Sequence, residues 1–169
     1  MSDVKLVVTR SIGVLAKSLL ALFIGGVAVA GEEKLECKLY IAESMDSSAM
    51  EMVAVESAGE SLRSLRRAAY CVFSDGTIAD KQFVMINRIM DGGKSGDGIG
   101  FSIYTMANGD SISAQFTGAW GEGPFNGIYE ILGGTGEYKG ATGDGTISSI
   151  DSPWKTTGIV DIVMNVATP

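Results

Sequence analysis

The chain has 169 residues, 13 Lys and Arg against 20 Asp and Glu for a net charge of −7, and no histidine. The length suits one domain, and an apolar content of 46% is too high for a disordered chain. Without histidine a Ser-His-Asp triad, a Cys-His dyad and the usual zinc sites are excluded. The acidic balance repels phosphate, which argues against nucleic acid and anionic membranes as partners.

Met1 to Lys17 carries Lys5, Arg10 and Lys17, and Ser18 to Ala30 is an unbroken run of apolar and small residues. That run is too short to span a bilayer, which takes ~20 residues. It ends in Ala28-Val29-Ala30 before Gly31-Glu32-Glu33, the small-x-small pattern of a signal-peptidase site. An uncleaved anchor from Ser11 would hold Lys17 inside the membrane at a cost of roughly 2.5–3.5 kcal/mol. The pattern predicts a signal peptide over 1–30, cleavage near Ala30, a secreted or periplasmic protein with no stable membrane span, and a single domain over 31–169. Losing three basic residues and Asp3 leaves ten basic against nineteen acidic side chains, a net charge of −9. In an oxidising compartment Cys37 and Cys71 most simply pair, closing a loop of about 35 residues for roughly 3–4 kcal/mol on the chain-entropy account.

Lys34 to Ile41 alternates as a half-buried strand, with Leu35, Cys37 and Leu39 on one side. Glu43 to Ala49 reads as a loop, and Met50 to Glu56 fits strand or helical turn. Ala58 to Arg67 spaces Leu62 and Leu65 at i, i+3, which predicts a short helix with Arg63, Arg66 and Arg67 on one solvated face. Ala68 to Phe73 is a strand stopped by the turn Ser74-Asp75-Gly76-Thr77. Lys81 to Met90 is another, followed by a flexible loop, Asp91 to Gly98. Ile99 to Met106 and Ser111 to Trp120 flank Asn108-Gly109, a pair that predicts a type I′ hairpin. In the second arm Ile112, Ala114, Phe116 and Trp120 share a face. Ile128 to Leu132 enters Gly133-Gly134-Thr135-Gly136, and a second segment follows Gly140. The last strand, Gly158 to Val166, again has one apolar face. The pattern predicts an all-β fold, a small closed antiparallel barrel of about eight strands with at most one short helix.

Gly133-Gly134-Thr135-Gly136-Glu137-Tyr138-Lys139-Gly140-Ala141-Thr142-Gly143 resembles the G-G-[ST/A]-G-x-[FY]-x-G-x-x-G signature of allene oxide cyclase-like barrels, and dirigent proteins carry a related stretch. The hairpin from Gly98 through Asp110-Ser111-Ile112 is similar to one that precedes this signature in bacterial relatives. The resemblance covers roughly 98–146, with a weaker echo at Pro153-Trp154-Lys155, and does not reach 31–95. It implies an eight-stranded calycin-type barrel with a central cavity, often in homo-oligomers. The plant cyclases place their working glutamate, asparagine and proline in early strands, so no catalytic residue carries over.

The signature residues build a turn: Gly133, Gly134, Gly136, Gly140 and Gly143 supply unusual backbone geometry or close approach, and Tyr138 can plug the barrel end. A phosphate-loop reading fails, because Gly134, Gly136 and Gly140 have the wrong spacing and no helix follows. Glu130 is the candidate acid–base group if its strand face looks into a cavity; if Tyr129 and Ile131 face inward instead, Glu130 is solvated. Asp91 and Asp97 lack calcium-loop spacing, so no metal or other cofactor is expected. Tyr104, Phe116, Trp120 and Tyr129 are either core or the lining of a ligand cavity. Two functions remain open: a binding or structural module for a small apolar ligand or protein partner, and an isomerase or cyclase folding a hydrophobic substrate inside the barrel.

Overall fold

A computed structural model describes residues 31–42, 51–55, 59–154 and 156–169. The expected signal peptide and the 43–49 loop lie outside the described residues. Among the described residues nine strands follow one another: β1 Gly31–Ala42, β2 Glu51–Val55, β3 Glu60–Phe73, β4 Ile78–Met90, β5 Ser95–Thr105, β6 Ser111–Trp120, β7 Asn126–Thr135, β8 Thr142–Ile150 and β9 Thr157–Thr168. They pair antiparallel in the order β1-β9-β8-β7-β6-β5-β4-β3-β2, and an additional β1–β3 ladder closes eight of them into a barrel. The strand β2 stays outside, paired with the first part of β3.

Closure follows from alternation. Leu35, Cys37, Leu39 and Ile41 of β1 and Val160, Ile162, Met164 and Val166 of β9 point inward, and these two strands pair from Gly31↔Thr168 to Ala42↔Thr157. The closing seam is short, running only from Cys37↔Phe73 to Tyr40↔Tyr70. The Cys37–Cys71 disulfide, with Cα atoms 5.7 Å apart, crosses this seam from inside the barrel. The bridge spans a sequence separation of 34, so it restricts the unfolded chain while tying the two strands of this short ladder.

Within the region expected to be helical, Ala58 to Arg67, the residues from Glu60 on form the first half of the long strand β3. The i, i+3 spacing of Leu62 and Leu65 is incidental: Leu65 is buried and Leu62 is exposed. Alternation continues back from Phe73 through Cys71, Ala69, Arg67, Leu65 and Arg63, and two arginines in the inward frame hide the period. Arg63 and Arg67 therefore do not share a solvated face with Arg66. The expected loop at 91–98 is also shorter: a 3-10 turn at Asp91–Gly93 is followed at once by β5.

The hairpin at Asn108-Gly109 differs in type from the expected one. Only Gly109 has positive φ, at 91°. Gly109 N donates to Met106 O and Met106 N to Asp110 O, which is a type I turn closed by a glycine bulge. The turn at Ser74–Thr77 has the same pattern, from Gly76 N to Phe73 O and Phe73 N to Thr77 O. In β7 the register shifts between Ser113↔Gly133 and Ala114↔Ile131, leaving Leu132 as an extra residue. This bulge bends the strand into the glycine signature.

Candidate functional site

One end of the barrel interior is open. A cavity of about 290 Å³ lies between the later residues of β1, β6 and β8, the middle of β4 and the earlier residues of β3 and β9. Its wall is mostly apolar, with Leu39, Ile41, Leu65, Phe83, Met85, Phe116, Trp120, Phe125, Ile147 and Val160. Space for the aromatics comes from the facing strand. Gly100 pairs with Phe116 and Gly96 with Trp120, and a Cβ at either glycine would overlap the ring opposite. Glycines within a β5 that otherwise reads as ordinary strand mark this close approach.

Set into that wall are Arg63, Arg67, Lys81, Asn87 and Ser149. Register explains the grouping: Arg63 pairs with Asn87, Arg67 with Phe83, and Lys81 with Ala69 and Tyr104, all on the inward face. Among the described residues, no carboxylate lines the cavity and none forms a salt bridge with Arg63, Arg67 or Lys81. A chain of net negative charge thus concentrates three basic side chains inside its barrel.

Lys81 is 1% exposed. Its Nζ donates to Tyr129 Oη at 2.6 Å, and Tyr104 Oη donates to Tyr129 Oη at 2.9 Å. The amine lies 4.9 Å from the ring centre of Tyr104, 5.2 Å from those of Phe83 and Tyr129, and 5.4 Å from that of Phe116. Each ring face offsets about 0.5–2 kcal/mol of a buried cation's cost. Taking an ammonium out of water costs several kcal/mol per ion, and this desolvation sets the direction of the shift. It pushes the Lys81 pKa down from 10.5 to about 7. Burial also raises the phenol pKa of Tyr129 and, well above the ordinary value, that of Tyr104, so both remain protonated at neutral pH.

Of the aromatics singled out in the sequence, Phe116 and Trp120 line the cavity, while Tyr104 and Tyr129 lie in the interior against Lys81. Glu130 does not reach the interior. It is exposed on the outer face beside Gln115 and Asp144, because Tyr129 and Ile131 take the inward positions. Asp97 pairs with Arg88 and Asp91 accepts from Ser95 Oγ, both at the surface.

The glycine signature sits at the other end of the barrel. Gly133, Gly136, Gly140 and Gly143 have φ of 139°, 59°, 76° and 151°. At Gly136 a Cβ would also overlap the Asp110 carboxylate. Asp110 accepts from Glu137 N at 3.1 Å and from Asn108 Nδ2 at 3.0 Å, tying the β5–β6 hairpin to the β7–β8 connection. Tyr138 is half-buried there and packs against the core. At Gly134 a Cβ would overlap Ser111 O, which keeps β7 close to β6.

No family model matches the chain, and no curated protein matches it. Among solved structures it is similar to the pterocarpan synthase dirigent protein GePTS1, with a TM-score of 0.56 over 91% of this chain and 98% of that one. The fold is that of a dirigent-like barrel. At 15% identity the likeness speaks for architecture alone. Basic residues missed in the sequence supply the charged groups of the cavity in this dirigent-like barrel. Their signal was present in phase: Lys81 belongs to the inward frame of Ala79, Phe83 and Met85, and Arg63 and Arg67 to that of Leu65 and Ala69.

Proposed function

We propose that this is an exported binding barrel whose cavity takes a small apolar molecule bearing one acidic group. The observation that carries the reading is a mostly apolar wall holding Arg63, Arg67 and Lys81 with no carboxylate lining it among the described residues. Pockets of this kind combine an apolar body with a few polar anchors that fix orientation. Arginine suits a carboxylate because its donors form a planar fork. Export is supported by the leader-like residues 1–30 and by the disulfide. Among the described residues no helix is long and apolar enough to cross a membrane.

The outer face of β4 and β5 carries a second feature. Val84 pairs with Phe101 and Ile86 with Ile99, and Ile103 lies beside them, all exposed. A contiguous apolar face of this sort supports association with a second copy of the chain.

The binding reading is tested by titrating the disulfide-bonded protein with 2-naphthoate and, separately, 2-naphthalenemethanol. Preference for the anion by tenfold or more is expected. Equal affinity, or no binding of either, would overturn the reading.

A further inference from the structure

Among the described residues Lys81 is the one lysine of the cavity wall, and its buried amine has a chemistry that ligand binding does not use. Lys81 lines the cavity, its Nζ contacts no carboxylate among the described residues, and it donates to Tyr129 Oη, which in turn accepts from Tyr104 Oη. We propose that Lys81 is a carbonyl-reactive amine that condenses with an aldehyde or ketone entering the cavity. The inference rests on the binding reading for ligand access and goes beyond it in assigning covalent chemistry to one atom.

The step balances without further reagents. The nitrogen lone pair attacks the carbonyl carbon, the C=O π pair moves to oxygen, and one proton passes from nitrogen to that oxygen to give a carbinolamine. The nitrogen pair then forms C=N while the C–O bond breaks, and the hydroxyl leaves with a second proton as water. Tyr129 Oη, 2.6 Å from Nζ, is placed to relay those protons. Only the neutral amine attacks, and desolvation is the means by which a lysine becomes neutral in an apolar pocket. The titratable groups packed against it are Tyr104 on β5 and Tyr129 on β7, with Arg67 and Arg63 of β3 on the same cavity wall. Burial, with no carboxylate lining the cavity among the described residues, favours the neutral form. The same arginines would hold an acid group on the incoming carbonyl compound.

The experiment uses the disulfide-bonded protein at pH 7 with 4-formylbenzoate and sodium cyanoborohydride, which reduces the imine to a stable secondary amine, followed by peptide mass mapping. At this pH a lysine of ordinary pKa is neutral about once in 10³ molecules, against about half for one near 7. Lys81 should therefore carry at least ten times the label of the exposed Lys34, Lys38, Lys94 or Lys139, and the preference should vanish in urea with the disulfide reduced. Label spread over the surface lysines with none at Lys81 in the folded protein would overturn the inference. Calorimetric titration with 4-methylbenzoate, which lacks the carbonyl, separates the two readings: binding without Lys81 label removes the amine chemistry alone, and neither binding nor label removes both.

Discussion

Lys81 Nζ and Tyr129 Oη lie 2.6 Å apart in the barrel interior, on strands separated by two others in the sheet. The contact joins a group that prefers to lose its proton there to one that prefers to keep it. Its first consequence is a pH dependence of stability.

The Lys81 pKa is about 7 in the folded protein and 10.5 as a free side chain. Between these values the unfolded chain binds more protons, so stability rises with pH through this window. Below about 7 both states are protonated and the full burial penalty applies. The rise is on the order of a few kcal/mol. Above pH 10 the raised tyrosine pKa values act oppositely, since the unfolded chain then loses phenol protons first. Urea midpoints measured from pH 6.5 to 9.5 should climb for the native protein relative to Lys81→Met, in which the climb is absent. Parallel curves would remove the buried-cation account.

Arg63 and Arg67 are the predicted acid anchors. Arg67→Gln should weaken 2-naphthoate binding by about ten- to a hundredfold, the worth of a hydrogen bond to a charged group, and leave 2-naphthalenemethanol unaffected. Arg66→Gln, on the outer face, is the matched control and should change neither. Calorimetric titration of the three proteins gives the comparison.

These three arginines show where the sequence was legible and where it was not. The end of the chain was readable because β9 alternates cleanly, Val160 to Val166, and because the glycine signature marks a corner. The start of β3 was not. Its inward frame contains Arg63 and Arg67, so hydrophobic periodicity fails where the cavity needs charge. Lys81 escaped notice for the same reason. In β7 both faces are apolar, Ile128 and Leu132 outside and Tyr129 and Ile131 inside, so the direction of Glu130 depended on tertiary register rather than on pattern.

The glycine corner makes its own prediction. Gly136→Ala introduces a side chain at φ of 59° against the Asp110 carboxylate, and should cost about 1–3 kcal/mol. Asp110→Ala removes the acceptor for Glu137 N and should cost about 1 kcal/mol by itself. Combining the two should cost less than their sum, because the second change relieves the clash made by the first. Denaturant unfolding of the four proteins completes the cycle, and strict additivity would contradict the proposed contact.

The disulfide holds the shortest seam. Cys37→Ser with Cys71→Ser should lower stability by roughly 3–4 kcal/mol, and amide exchange should accelerate at Lys38 to Tyr40 and Tyr70 to Val72 before it does along the long β1–β9 ladder. Uniform acceleration around the barrel would show that the seam is not the weak point.

The central claim, an apolar cavity that selects an acid, is tested most directly by native mass spectrometry of the protein purified from its own host, with the released small molecule identified. The account predicts one retained organic acid per chain, lost on Arg67→Gln. A barrel that emerges empty and binds no added 2-naphthoate, or that retains a neutral or cationic molecule, would contradict it.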